Sequence, residues 1–437
     1  MAFSLPGVHL VHHKKTAGVD PVRMPAPATV TLYTAMHIGA PATPVVKVGD
    51  HVDVGTVVAI ENGRVSARIH SSVSGKVSKV VDVMGSNGVQ TPAIVVESDG
   101  AMTLDPNLEM PLLDSREAVV EAIRNAGLVG LGGAGFPTHV KFDVDPDSVD
   151  TLVINGAECE PFITADDWCM RARGAEILHA IKVLDKYWNF GRIIIGIEKN
   201  KPEAIAAMRE LATEFPKLEV KVLPTIYPRG AEKVIVYECT GRVTPLGGIP
   251  LAVGCIVSNV TTIAAMGAYF QVGLPVVEKC VTVAGTPITN PQNVIVPVGT
   301  SIEDLVAFCG GWACEAHKVV YGGPMMGTPV TSTAAPVLKT TNAVLTFNEK
   351  EAVIPDPTPC IRCGACTNHC PLGINPAEIA RAYKRGDMVA LDELAVDLCM
   401  ECGCCSYICP AHRPLVQTNK LSKIALKNER AKEAKES

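Results

Sequence analysis

"CIRCGACTNHCP", residues 360–371, returns in altered form as "CMECGCCSYICP", residues 399–410. Cys360, Cys363, Cys366 and Cys370 are separated by two, two and three residues and followed by Pro371; Cys399, Cys402, Cys405 and Cys409 repeat that spacing before Pro410. Three thiolates in so tight a loop wrap one face of an iron–sulfur cubane, and the fourth, too far along to close the same cluster, ligates its neighbour. The expected sets are Cys360, Cys363, Cys366 and Cys409 for one [4Fe-4S] centre and Cys370, Cys399, Cys402 and Cys405 for the other. CxxC pairs also suit tetrahedral zinc, but zinc needs neither a third cysteine at that spacing nor the proline. Cys404 is the expected non-ligand, and Gly364 and Gly403 let backbone approach the sulfides. Two adjoining clusters carry single electrons, so each end needs a partner.

The 28 residues between the motifs, 371–398, open a helix with Asn375 as N-cap and Pro376 at its first position. The last 17 residues, "LSKIALKNERAKEAKES", read as a charged, solvated helix or frayed tail. The whole chain has 437 residues, enough for three or four domains with their own cores. Of its 16 cysteines, eight sit at the ligand positions. With an N-terminus, "MAFSLPGVHLVHHKK", that lacks the basic-then-apolar order of a signal peptide, this points to a reducing, cytosolic compartment. A net charge of −6 with interspersed signs gives no sign of a nucleic-acid surface, and no nucleic-acid partner is expected. Every apolar run stops well short of the roughly 18 residues that span a bilayer.

Residues 22–100 alternate Val, Ile and Thr with Gly and Asp turns and read as a small all-β unit. "PVVKVGDHVDVGTVVAI" followed by "ARIHSSVSGKVSKV" resembles the flattened barrel of lipoyl and biotinyl carrier domains in fold only, for no modifiable lysine sits at the hairpin tip. A helix is expected over about Ser115–Ala126, with Asp114 and Glu117 as a capping box and Gly127 as C-cap. Strand "TLVIN", a helix from Trp168 to Tyr187, strand "RIIIGIE", a helix from Pro202 to Glu214 and strand "LEVKVL" follow. Alternating strands and helices imply a parallel sheet, whose ligands sit beyond the carboxyl ends of the strands. "CVTVAG", "NVIVPVG" and a helix opened by Thr300 and Glu303 then form a small α+β unit.

"GLGGAG", residues 130–135, satisfies GxGxxG but follows a helix and precedes "FPT", the wrong context for a dinucleotide fingerprint. The acidic loop "NGAECEP", 155–161, lies at the carboxyl end of a strand. His9, His12, His13, Lys14 and Lys15 read as a mobile tail with no ligand role.

"GLGGAGFPTHVKF", "NGAECEP", "YPRGAEK" and "SNVTT", in that order ahead of the cysteine motifs, resemble the FMN- and NADH-binding flavoprotein subunit of respiratory complex I. From "GVHL" to "RPLVQ" the chain is similar to the RnfC family, the peripheral subunits of Rnf ferredoxin:NAD oxidoreductases. The resemblance implies a multidomain α/β and α+β chain. An N-terminal β barrel-sandwich unit (1–105) would precede a Rossmann-like FMN/NADH domain (106–250), a β-grasp-like SLBB-type unit (251–345) and a helical double [4Fe-4S] ferredoxin domain (346–437). It implies that Gly132, Gly133 and Gly135 lie against the flavin and that Lys141 faces its phosphate. Asn155, Glu158 and Glu160 would line the flavin and nicotinamide, the two glutamates as catalytic residues. Gly230, Glu232, Asn259 and Thr262 complete the implied cofactor set. Ala157 stands where the complex I loop carries an acid, and "YPRGAEK" matches its counterpart loosely.

The implied activity is electron transfer among NAD(H), FMN and two clusters, with Na⁺ or H⁺ translocation left to other subunits. Integral-membrane and iron–sulfur subunits would be partners, ferredoxin an indirect one, and the location the cytoplasmic face of the cell membrane, peripherally. A microcompartment-type cobalamin reductase shares the flavin segment and doubled ferredoxin, and a wiring subunit with clusters but no flavin is the alternative from another class.

Overall fold

The computed structural model describes residues 5–85 and 88–436. In the N-terminal unit, strand Thr29–Tyr33 pairs antiparallel with Gln90–Ser98, which pairs with Gly75–Met84 and that with His51–Val52. A smaller sheet of Thr43–Pro44, Val57–Ile60 and Ile69–His70 closes the sandwich. "TVTLY" alternates because one face is buried, and Val30, Leu32, Val58, Ile69, Val77 and Ile94 form the core with Val298 of a later unit.

The second unit holds a four-stranded parallel sheet in the order Leu218–Leu223, Arg192–Glu198, Thr151–Gly156, Cys255–Asn259. The central strand Arg192–Glu198 is a near-continuous Ile run because helices cover both faces, while the edge strand Leu218–Leu223 keeps Glu219 and Lys221. Cys255–Asn259 adds to this sheet, so the unit runs past the boundary expected at 250. The order reverses at Thr151–Gly156, the switch point beyond whose carboxyl end sheets of this kind bind their ligands. Register sets Asn259 directly beside Asn155 at that point.

Three expectations are corrected. The helix expected from Trp168 to Tyr187 is two, Ala165–Ala172 and Gly174–Trp188, interrupted at Arg173 (φ −119°, ψ 33°). Ser115, not Asp114, caps the helix Arg116–Asn125, its side chain accepting from the Ala118 amide, and Gly127 lies one residue beyond the C-cap Ala126 with φ +61°. Ser301, not Thr300, caps Ile302–Phe308 by accepting from the Asp304 amide, while the Thr300 hydroxyl donates to the Pro297 carbonyl. Ser115→Ala is therefore expected to cost about 1 kcal/mol in urea unfolding and Asp114→Ala close to nothing.

The third unit is a six-stranded mixed sheet in the order Val22–Arg23, Gln292–Pro297, Glu278–Gly285, Ala343–Phe347, Lys318–Tyr321, Thr328–Pro329. Its first strand comes from the N-terminal segment and stitches the units together. The last unit is helical: Pro376–Arg385, capped by Asn375, and Met388–Glu393 pack on the long helix Leu415–Glu436 around Ile379, Leu391, Val396 and Leu426. Among the described residues no helix is long and apolar enough to cross a membrane.

Candidate flavin site and cluster loops

The glycine loop is closed by Gly130 N–H donating to Phe136 O (2.9 Å) and Gly135 N–H to Gly130 O (3.0 Å). Gly133 (φ +119°) and Gly135 (φ +67°) adopt backbone that L side chains avoid. At Gly132 a Cβ would lie 2.6 Å from Asn259 Nδ2. Residues 132–134 are exposed, and among the described residues their three consecutive N–H groups have no hydrogen-bond partner. Such a run of free amides is a ready anion cradle, and it fits the phosphate or carbonyl oxygens of a flavin.

Asn259 sits at the back of the loop. Its Oδ1 accepts from Thr261 N (3.0 Å) and Thr262 N (3.3 Å), capping the helix Val260–Val272, and its Nδ2 donates to Asp166 Oδ2 (2.8 Å). Thr262 Oγ1 accepts from Leu131 N (3.0 Å), tying the helix to the loop. Asn155 accepts from Ala157 N (3.2 Å) and donates to Gly230 O (2.8 Å), so the two loops beside the sheet switch are cross-braced. Lys141 donates to Glu232 Oε1 (2.9 Å) and to Val257 O (3.0 Å). Ala157 lies in the apolar cluster with Val153, Ile194 and Leu223, which leaves no room for the acid of complex I at that position.

Glu158, at φ +47°, turns its carboxyl inward: Oε1 accepts from Asp166 N (2.6 Å), while Oε2 is buried without a hydrogen-bond partner, 3.8 Å from Lys14 Nζ. Burial pushes this carboxyl up to about 8, Lys14 opposing and Asp166 adding to the shift. The folded chain then keeps a proton that the unfolded chain releases, so the stability linked to Glu158 is full below about pH 4.5 and lost as pH rises through about 8. Glu158→Gln is expected to remove that part of the decline, read by comparing denaturant midpoints of wild type and variant at acidic and alkaline ends of this window.

Glu160 goes elsewhere. Its carboxylate accepts from Met325 N (3.1 Å) and Met326 N (2.9 Å) of the third unit and from Tyr227 Oη (3.5 Å). Burial raises it to about 7 against those donors. Among the described residues it makes no hydrogen bond to the glycine loop.

The expected set is thus gathered in three groups: Gly132, Asn259 and Thr262; Asn155 and Gly230; Lys141 and Glu232. Glu158 joins the first group through Asp166. Four further residues hold these groups and escaped sequence reading: Asp166, Lys14, Lys201 and Lys279. Lys14 does not belong to a mobile tail. It donates to Glu158 O (3.0 Å), Glu160 O (3.1 Å) and Ile163 O, while His12 O accepts from Phe162 N (2.8 Å) and the His13 ring stacks on Phe162. Lys201 donates to Ala157 O (2.7 Å) and pairs with buried Glu198 (3.5 Å) at the end of strand Arg192–Glu198. A charged pair just past a strand's carboxyl end was the one signal available for it. Lys279 donates to Leu131 O (2.5 Å), and burial brings its ammonium down to about 7.

The two cysteine loops share one backbone. Arg362 (φ +58°) and Gly364 (φ +75°) in the first match Glu401 (φ +61°) and Gly403 (φ +82°) in the second. Cys370, Cys399, Cys402 and Cys405, the four thiols expected for one cluster, line one pocket together with Cys404, Leu372, Ile374 and Val416. Asn419 Nδ2 donates to Cys399 Sγ (3.4 Å), a hydrogen bond of the kind that tunes cluster potential. Cys366 and Cys409 pack together beside Cys405, while Cys360 and Cys363 are exposed on their loop. This all-thiol donor set fits a [4Fe-4S] centre.

Tyr227 lies between the acidic loop and the cluster loops: its hydroxyl donates to Cys402 O (2.8 Å) and to Glu160 Oε1 (3.5 Å), and its backbone pairs with Val8. Cys404 lines the same pocket, packs with Val8, Tyr227 and Cys402, and donates its Sγ to Tyr227 O (3.8 Å).

Residues 123–268 match the Nuo51 FMN-binding domain, 3–101 the RnfC barrel sandwich hybrid domain, 280–329 the SLBB domain and 357–413 the 4Fe-4S dicluster domain. The C-subunit of the Na(+)-translocating ferredoxin:NAD(+) oxidoreductase complex of Acetobacterium woodii is 39% identical over 87% of this chain and 87% of its own. The proton-translocating counterpart of Clostridium ljungdahlii is 38% identical over 86% of this chain and 83% of its own. The C-subunit of the ion-translocating oxidoreductase complex of Rhodobacter capsulatus is 37% identical over 95% and 82%. With these relatives matched along most of their length and an RnfC barrel sandwich hybrid domain at residues 3–101, the chain belongs to the RnfC family, the C-subunits of ion-translocating ferredoxin:NAD(+) oxidoreductase complexes.

Proposed function

We propose that this chain is the peripheral electron-transfer subunit of a membrane-bound ferredoxin:NAD⁺ oxidoreductase, exchanging electrons between NAD(H) and two [4Fe-4S] clusters. The observation that supports the reading is that Tyr227 bridges the acidic loop and the cluster loop: its hydroxyl donates to Cys402 O at 2.8 Å and reaches Glu160 Oε1 at 3.5 Å. FMN, when bound, exchanges the paired electrons of a hydride for the single electrons a cluster accepts. The chain's own part is to hold it: the amides of Gly132 and Gly133 receive it, Gly135 shapes the loop, and Asn155, Asn259 and Thr262 fix the loop's back. Lys141, paired with Glu232, supplies a cation on the loop's flank. The backbone of the acidic loop, clamped by Lys14 and Lys201, forms the wall that the nicotinamide approaches, with the Glu158 carboxyl buried behind it.

Ferredoxin is an indirect partner, reached through integral-membrane and iron–sulfur subunits at the cytoplasmic face of the membrane, and translocation of Na⁺ or H⁺ belongs to those subunits. The test is an anaerobic NADH titration of the purified chain with FMN and reconstituted clusters. Loss of iron–sulfur absorbance in step with flavin absorbance is expected. Flavin bleaching with the cluster absorbance unchanged would overturn the reading.

A further inference from the structure

Lys279 belongs to strand Glu278–Gly285 of the third unit, yet its side chain crosses into the second and ends at the carbonyl of Leu131 (2.5 Å). Asn342, beside strand Ala343–Phe347 of the same sheet, donates Nδ2 to the next carbonyl, Gly132 O (3.3 Å). The carbonyl of Leu131 and the N–H of Gly132 belong to one peptide group, and the carbonyl of Gly132 and the N–H of Gly133 to the next. In a trans peptide these two groups point in opposite directions. Anchoring each oxygen from the third unit therefore aims each N–H outward, and these are two of the three amides left free at the loop surface. A donor on the carbonyl also polarises the peptide and strengthens its N–H, more so when the donor is an ammonium.

Stability does not account for Lys279. The residue is 4% exposed, and its ammonium, with three donors, has one hydrogen-bond acceptor among the described residues. Burying an ammonium so poorly partnered is costly, and an apolar side chain of similar volume serves a core as well or better. Asp166, which also holds Asn259, is the nearby charge that favours the ammonium form.

We propose that Lys279, assisted by Asn342, is a positioning residue for the flavin, and that the third unit thereby builds the rear wall of the cofactor site rather than a separate ligand site. The inference rests on the assignment of the glycine loop to FMN. Its test uses the full chain with reconstituted clusters as wild type, Lys279→Met and Asn342→Ala. FMN affinity is read from quenching of flavin fluorescence, the potential of the bound flavin by spectroelectrochemistry, and thermal unfolding on the flavin-free chain.

Lys279→Met is expected to weaken FMN about tenfold or more, to make the flavin potential more negative, and to leave the unfolding midpoint unchanged or higher. Asn342→Ala is expected to weaken FMN by a smaller factor, about fivefold. Unchanged affinity in both variants overturns the proposal. So does an affinity loss that merely follows a loss of stability while the potential stays put. Should Lys279→Met fail to fold, half-buried Asn342 decides alone. A wild-type chain that binds no FMN would instead remove the underlying site assignment, an outcome visible before any variant is compared.

Discussion

Cys402→Ala is expected to halve the iron bound per chain, while Cys404→Ala keeps all of it. The two thiols are two residues apart and both buried, so exposure does not separate them. Position does. Both line the pocket with Cys370, Cys399 and Cys405, but Cys404 donates its Sγ to Tyr227 O (3.8 Å), and the repeated two, two, three spacing reserves the ligand positions for Cys399, Cys402, Cys405 and Cys409. A cubane missing one of four thiolates loses a corner ligand that no neighbouring side chain replaces, and metal-site binding energy is also folding energy for a small metal domain. The variant should therefore lose NADH-dependent cluster bleaching and about half the cluster absorbance. Iron analysis and visible spectroscopy check both statements. Full iron in Cys402→Ala with half in Cys404→Ala would mean that the ligand register is wrong.

Lys14→Met is the second large effect. One ammonium serves three carbonyls of the acidic loop, those of Glu158, Glu160 and Ile163, and stands 3.8 Å from the Glu158 carboxyl. Its side chain is 11% exposed and that of Glu158 2%, so solvent cannot replace what is removed. Glu158 holds its proton at neutral pH, so the loss is that of the donor to three buried carbonyls, each costing about 1–3 kcal/mol when left unpaired. The loop that presents the acidic wall loses its shape as well. Urea unfolding should show the loss of stability, and the KM for NADH should rise. Lys15→Met, one residue along and exposed, serves as the control and should do neither.

Much of the second unit was legible because Ile- and Val-bearing strands alternate with a helical pattern opened by proline: Arg192–Glu198 and Leu218–Leu223, and the helix Pro202–Glu214, fall where the sequence places them. Caps slipped by one residue, since Asp114 and Ser115, like Thr300 and Ser301, are adjacent residues with the same capping chemistry and only backbone geometry chooses between them. The break at Arg173 had its signal in Gly174, overridden by the helical periodicity around it. The bracing cations were not legible. Lys14 meets its carbonyls across 144 to 149 residues of chain, and Lys279 alternates into a strand where a lysine ordinarily marks the solvent face. Such residues acquire their role from packing between units, which local spacing does not encode. The cysteine loops are the opposite case, since ligand spacing is itself the geometry of the cluster.

The most direct measurement is low-temperature EPR of the chain with reconstituted clusters, frozen after anaerobic addition of NADH, with FMN present and with FMN removed. Reduced-cluster signals that appear only in the flavin-containing sample are predicted. Equal signals in both samples, or none in either while dithionite still reduces the clusters, would contradict a nucleotide site wired to paired cubanes.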